Sequence, residues 1–195
     1  MEIKKLDNNI NYIVSGLERS GTSMLMQILH AGKIPVSFDG SRPTDDHNPK
    51  GYFELEGGKI INKLIAGSFS LEKYRGSFIK ITSYGLKFIP NGKYKIIYSE
   101  RNIEEILDSM EKMIGKKEEN RAETKKCLYK LNKLIKKEIK ERKDIEFLIV
   151  NYNKVLTNPK NNIIKILDFL NLNYDNLKKM IDAVDIKLYT PCNIK

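Results

Sequence analysis

The feature that most constrains this chain is the junction at residues 12–23. Tyr12–Ile13–Val14–Ser15 is a short apolar run that breaks into Gly16-Leu17-Glu18-Arg19-Ser20-Gly21-Thr22-Ser23. Such a run ending at glycine reads as a buried strand entering a loop. From about Gly21 to Ala31, Met24, Leu25, Ile28 and Leu29 fall at helical spacing, and Gly32 is a natural stop. Two glycines five apart let the loop curl so that successive N–H groups line an anion-binding concavity. The following helix adds the positive end of its dipole, which favours phosphate or sulfate oxygens. Thr22 and Ser23 add hydroxyl donors. The competing reading is a strand–turn–helix whose glycines are incidental.

The rest of the chain continues the alternation. Phe38 to Gly51, rich in Gly, Asp, Asn and Pro, reads as a long loop, and long loops in compact domains usually carry function. A helix follows at about Gly58 to Ile65, then strands at Ser77–Ile81 and Tyr94–Ser99. Asn102 stands at an N-cap, with Glu105 completing a capping box before Ile106, Leu107 and Met110. Ile145 to Val150 is a further strand, and Asn158–Pro159 opens a helix through Leu170. This order predicts an α/β protein with a mostly parallel central sheet covered on both faces. At 195 residues it predicts a single domain over 1–195.

Charge narrows the partners. The chain has 35 Lys and Arg against 25 Asp and Glu, a formal charge of +10. Much of the excess lies between Lys116 and Lys143. There Leu128, Leu131, Leu134, Ile135 and Ile139 recur at steps of three or four within one helix, which makes the lysines its solvated face. Without interleaved aromatics to stack bases, no nucleic-acid partner is expected, nor a membrane. A hydrophobic fraction of 41% with 31% charged residues excludes wholesale disorder. No apolar run approaches the ~18–20 residues of a membrane span. Met1 to Asn11 lacks the apolar core of a secretory signal, so a cytoplasmic protein is expected. Cys127 and Cys192 have no metal-ligand spacing and are expected as reduced thiols.

The glycine loop is not the ATP-type loop that ends Gly-Lys-Ser/Thr, because Thr22 fills the lysine slot and the nearby cation is Arg19. Ile96–Ile97–Tyr98–Ser99 runs into Glu100–Arg101 rather than into the acidic residue that would hold magnesium. A sulfuryl group carries less charge than a phosphoryl group, so protein cations and N–H groups suit its transfer. The pattern argues for an anion-transfer site that takes its positive charge from the protein.

Three segments in register carry a resemblance to a known family. Residues 16 to 23 resemble the 5′-phosphosulfate loop of the 3′-phosphoadenosine 5′-phosphosulfate (PAPS)-dependent sulfotransferases, in an arginine form. Arg101, followed eight residues later by Ser109, resembles their 3′-phosphate motif, and Asn48-Pro49-Lys50-Gly51-Tyr52-Phe53-Glu54 is similar to a segment of bacterial members. The resemblance covers most of residues 11 to 170. It implies a three-layer P-loop fold with PAPS held by Arg19, Ser20, Gly21, Thr22, Ser23, Arg101 and Ser109. An arginine at a strand's C-terminal end lies where open α/β sheets bind ligands, and its fork suits phosphate. The alternative is a structural Arg–carboxylate pair with a solvent serine.

The resemblance also implies a base for the acceptor's proton. Many members place a histidine two residues after a lysine. Here Lys80-Ile81-Thr82 matches, with Thr82 in the histidine slot. Lys80 remains to stabilise charge on the bridging oxygen, and Glu54 is the candidate base, with Asp45, Asp46 and His47 as rivals. The family's later basic or glycine-rich loop has no match in Asp185 to Pro191. The expected function is sulfuryl transfer from PAPS to a hydroxyl or amine of a small-molecule or glycan acceptor, without metal. The alternatives are a degenerate nucleotide-binding relative, an ATP-dependent small-molecule kinase, and a nucleic-acid binder using the lysine-rich helix.

Overall fold

A computed structural model describes residues 5–186; Cys192 and residues 187–191 of the terminal segment discussed above lie outside the described residues. The chain runs β1 (Asn11–Gly16), α1 (Thr22–Ala31), α2 (Ile60–Ile65), β2 (Phe78–Lys80), β3 (Tyr94–Glu100) and α3 (Ile103–Ile114). It continues through α4 (Arg121–Glu141), β4 (Ile145–Asn151), α5 (Tyr152–Thr157), α6 (Pro159–Phe169) and α7 (Leu177–Asp182). All four strands are parallel, in the order β2-β1-β3-β4. Parallel neighbours need crossover connections, and the helices supply them.

Strand alternation divides the core in two. Val14, Phe78 and Ile97 face α1, α6 and α7, where they meet Leu25, Ile28, Ile163, Ile166 and Met180. Ile13, Ile79, Ile96 and Tyr98 face the other way, toward Leu64 of α2, Leu86, and Ile135 and Ile139 of α4. Burying one such side chain fully contributes about 1.5–3 kcal/mol, so both layers are held by apolar burial. β1 is buried at all six positions, as a strand between two helical layers must be.

Several local expectations shift for physical reasons. α2 starts at Ile60 rather than Gly58, because Gly57 and Gly58 take left-handed backbone at φ +59° and +83° within the 3₁₀ turn Glu56–Gly58. Leu134 is off the apolar stripe and 43% exposed, since α4 buries only the narrow row that contains Ile135 and Ile139. α5 is an additional helix, capped by the Asn151 side chain, which accepts from the Lys154 N–H at 2.9 Å. Asn102 and Asn158 cap α3 and α6, with Pro159 in the first turn. Among the described residues no helix is long and apolar enough to cross a membrane. Because the strands are parallel, Gly16, Lys80, Glu100 and Asn151 all end on one edge, where the following loops converge.

Candidate functional site

The loop after β1 is shaped by two positions that only glycine fits. A Cβ on Gly16 would lie 2.4 Å from Ser20 Oγ and 2.5 Å from the Ser99 carbonyl oxygen, and one on Gly21 would lie 2.2 Å from the Tyr152 ring. Arg19 also takes left-handed backbone, at φ +64°. Two donors at the end of β3 tie the loop's carbonyls back: Ser99 Oγ to the Ser20 oxygen at 2.6 Å, and Arg101 to the Arg19 oxygen at 3.1 Å. N–H and C=O oppose each other across a trans peptide, so the Gly21 N–H turns away from β3. The first-turn N–H groups of α1 have no carbonyl within the helix to meet. Together these groups form a concavity of N–H donors of the kind that suits an anion.

In front of the loop lies a cleft of about 290 Å³. Arg19, Gly21, Thr22, Ser23, Glu54, Lys80, Arg101 and Ser109 all line it, so eight of the nine candidate residues meet in one place. Ser20 is buried behind the loop and does not line the cleft; its carbonyl is the acceptor for Ser99.

Arg19 Nε donates to Ser109 Oγ at 3.0 Å, so the loop and α3 are joined through two of the candidate anion ligands. Arg101 is buried, its Nε donates to Glu105 Oε2 at 2.9 Å, and its guanidinium carbon lies 4.4 Å from the Tyr152 ring centroid. The Glu105 carboxylate also accepts from Asn153 Nδ2 at 2.8 Å. The Arg–carboxylate pair left open by the sequence is thus present. It holds a guanidinium that braces the anion loop and lines the cleft at once.

Lys80, at the end of β2, donates to Ser23 Oγ at 3.1 Å and to the Tyr52 carbonyl at 2.7 Å, and lies 2.7 Å from Glu54 Oε1. An ammonium has three hydrogens, and this one has three acceptors. The other oxygen, Glu54 Oε2, takes Arg42 at 2.8 Å, while the Arg42 guanidinium lies 3.5 Å from the Tyr52 ring centroid. Burial pushes the Glu54 carboxyl up, but Lys80 and Arg42 outweigh it and hold it below its ordinary value. Burial pulls Lys80 down against the opposing pull of Glu54. The rivals separate clearly. Asp45 is tied to the Tyr52 hydroxyl at 2.7 Å, Asp46 lies off the cleft, and His47 lines it.

Sequence reasoning passed over Arg42, Ser99 and Tyr152. Arg42 stands in a long loop with no motif around it, twelve positions from the carboxylate it grips. Ser99 and Tyr152 sit at or just past the C-terminal ends of β3 and β4, and the crevice rule for parallel sheets points to both positions. Among the described residues no group of His, Cys, Asp or Glu could hold a metal ion.

No protein-family model matches the sequence, and comparison with curated proteins found no match. Solved structures do match in fold. The sulfotransferase domain of the Synechococcus PCC 7002 olefin synthase superposes at a TM-score of 0.56 with 13% identity, covering 94% of this chain and 81% of that one. Mouse sulfotransferase SULT7A1, solved as a complex with PAP, gives 0.54 at 15% identity, covering 93% of this chain and 66% of its own. The sulfotransferase domain of the curacin biosynthetic pathway gives 0.50 at 15% identity, covering 92% and 79%. At these identities the likeness is one of fold. The chain has the parallel-sheet, helix-flanked α/β fold of these sulfotransferase structures.

Proposed function

We propose that the chain moves a sulfuryl group from PAPS to a hydroxyl or amine of a small-molecule or glycan acceptor. The observation that carries this is Lys80 Nζ, 3.1 Å from Ser23 Oγ on the anion loop and 2.7 Å from Glu54 Oε1. One buried cation there joins an anion-binding loop to a carboxylate, the two things sulfuryl transfer needs side by side.

The residues present fit the co-substrate. The nest of loop and first-turn N–H groups, with the Thr22 and Ser23 hydroxyls, suits a 5′-phosphosulfate, and Arg19 adds charge from the same loop. Arg101 and Ser109 stand one loop away, at the end of β3 and in α3, as the holders of a 3′-phosphate. PAPS, when bound, supplies the sulfuryl group and carries a bisphosphate leaving group. Glu54 takes the acceptor's proton as the acceptor's oxygen or nitrogen bonds to sulfur. Lys80 donates to the bridging oxygen as that oxygen takes up the electrons of the breaking bond. The two roles are linked: when Lys80 turns from Glu54 toward new negative charge, Oε1 is freed and becomes more basic.

Thermal shift and calorimetry with adenosine 3′,5′-bisphosphate, in EDTA, test the binding half, since a ligand of the native state raises its apparent stability. The bisphosphate should bind more tightly than AMP or ATP; equal affinity for AMP removes the 3′-phosphate site. ATP with magnesium binding tighter than the bisphosphate replaces sulfuryl with phosphoryl transfer. Thr82 in place of a stronger base, and the two cations on Glu54, favour a second reading in which the nucleotide is bound without transfer. Bisphosphate binding with no turnover over a broad panel of alcohols, amines and oligosaccharides would establish it.

A further inference from the structure

A second groove lies along α4, at the C-terminal ends of β3 and β4. It encloses about 860 Å³, three times the reaction cleft, and shares with it a single residue, Arg101. Its wall is a row of lysines on one face of α4: Lys125, Lys133, Lys136, Lys137 and Lys140. At 1.5 Å per residue, Lys125 to Lys140 spans about 22 Å. Lys133 and Lys140 are exposed and have no ion pair among the described residues. The carboxylates in the wall, Glu100 and Glu141, are already engaged by Lys136 and Lys137. We propose that this groove binds an extended acidic polysaccharide, carboxylated or sulfated, at a site separate from the reaction cleft.

The polar chemistry of the groove is almost all donor. Asn102, Asn132 and Asn151 line it, and each has its amide oxygen occupied from within the protein. Asn102 accepts from the Glu104 N–H, Asn132 from the Tyr98 hydroxyl, and Asn151 from the Lys154 N–H. An amide with its oxygen engaged offers its two N–H donors. Ammonium groups likewise only donate. A surface of donors selects a ligand that is acceptor-rich along its length, which acidic sugars are through carboxylate, sulfate and ring oxygens.

Tyr129, 60% exposed among the lysines, gives an apolar face on which a sugar ring can rest. A single-stranded nucleic acid would want successive aromatics for successive bases, and the groove offers Tyr129 alone. The site does not depend on the sulfuryl-transfer reading, because nothing in it belongs to that chemistry except the shared wall at Arg101.

The test uses a fluorescein-labelled heparin hexasaccharide as probe, with full-length protein and anisotropy as readout. The hexasaccharide should bind, with affinity falling as salt rises because bound cations are released on contact. Lys133→Glu/Lys140→Glu should weaken it at least about tenfold while leaving the thermal unfolding midpoint and adenosine 3′,5′-bisphosphate affinity near the parent's. Tyr129→Ala should weaken it several-fold at constant salt dependence. Saturating bisphosphate should leave hexasaccharide affinity unchanged. Parental binding by the double variant overturns the proposal, as does loss of hexasaccharide binding on adding bisphosphate, which would make the groove part of the nucleotide site. A single-stranded RNA of similar charge, or anionic vesicles, bound more tightly than the hexasaccharide through the same lysines, also overturns it.

Discussion

Lys80 and Glu54 form an ion pair 2.7 Å long at the inner end of the cleft, with side chains only 4% and 12% exposed. Lys80 comes from the end of the short strand β2, and Glu54 from the loop that follows Gly51. A buried pair of this kind gains little over an apolar pair of the same shape, because desolvation offsets most of the attraction, yet losing one partner is costly. Its value lies in position, since the same two side chains touch the anion loop on one side and Arg42 on the other.

Lys80→Met therefore leaves the Glu54 charge to Arg42 alone. Removing one member of a buried pair costs about 3–5 kcal/mol, and the remaining Arg42 contact puts the expected loss at the low end. Lys80→Met/Glu54→Gln should be more stable than Lys80→Met, because the stranded charge is gone. Urea midpoints for the four proteins of the cycle measure this; additive losses would mean the pair is not coupled.

Glu54→Gln keeps the shape and one acceptor oxygen but removes the charge and the basicity, and its amide N–H₂ must face either Lys80 or Arg42. Turnover should fall about 10²–10⁴-fold, the range for losing a general base, with bisphosphate affinity nearly unchanged. Steady-state kinetics with calorimetry alongside checks both halves. Near-parental turnover passes the role to His47, Asp45 or Asp46.

Arg19→Ala and Arg101→Ala should each lose roughly 1.5–3 kcal/mol of bisphosphate binding, the range for charged hydrogen bonds. They should differ in stability. Arg101 is buried on Glu105 and holds the Arg19 carbonyl, so its loss also lowers the unfolding midpoint. Arg19 spans from the loop to Ser109 at a half-buried position and should cost the fold less. Arg101→Lys should recover only part of the affinity, as a point charge lacks the guanidinium fork. Unchanged affinity in a folded Ala variant makes that residue purely structural.

Gly21→Ala places a methyl 2.2 Å from the Tyr152 ring on backbone at φ +98°. Overpacking of this kind costs typically 1–3 kcal/mol, and the loop should lose anion affinity with it. Adding Tyr152→Ala relieves the clash but not the backbone conformation, so only part of the stability should return. Full recovery would locate the whole effect in the ring.

Acid should destabilise the fold through carboxylates held in ion pairs. The Arg142 hydrogen bond keeps Asp144 far below its ordinary value of 3.8, and Glu54 lies below 4.5, burial being outweighed by Lys80 and Arg42. A depressed native pKa contributes stability that is present above the unfolded value and lost as pH falls through the native one. Stability should therefore begin to fall below about pH 4.5, as the unfolded-state values dictate, and keep falling past 3.8. Asp144→Asn should flatten the lower part of that profile in urea titrations from pH 2 to 6.

Neighbouring residues in the chain account for the local half of this protein. The apolar run into Gly16, the helical spacing after Gly21, the Asn102 and Asn158 caps and the β-run at Ile145 depend on neighbours in the chain, and periodicity and capping report neighbours. Arg19 and Arg101 stand at or near strand ends, where the crevice rule points, and Ser109 entered through the family resemblance; the structure brings all three to one cleft. The tertiary structure alone decided the order β2-β1-β3-β4, which brings Lys80 beside Ser23 across 57 positions of sequence. It also decided that Glu54 meets Lys80 and Arg42 together, that Arg101 is braced by Glu105, and that Tyr152 closes over Gly21. Those contacts join residues far apart in sequence across an edge where parallel strands end together, and no local pattern encodes such a meeting. Leu134 makes the same point in small: its spacing fits the apolar stripe, but only the layer against which α4 packs fixes how wide the buried row can be.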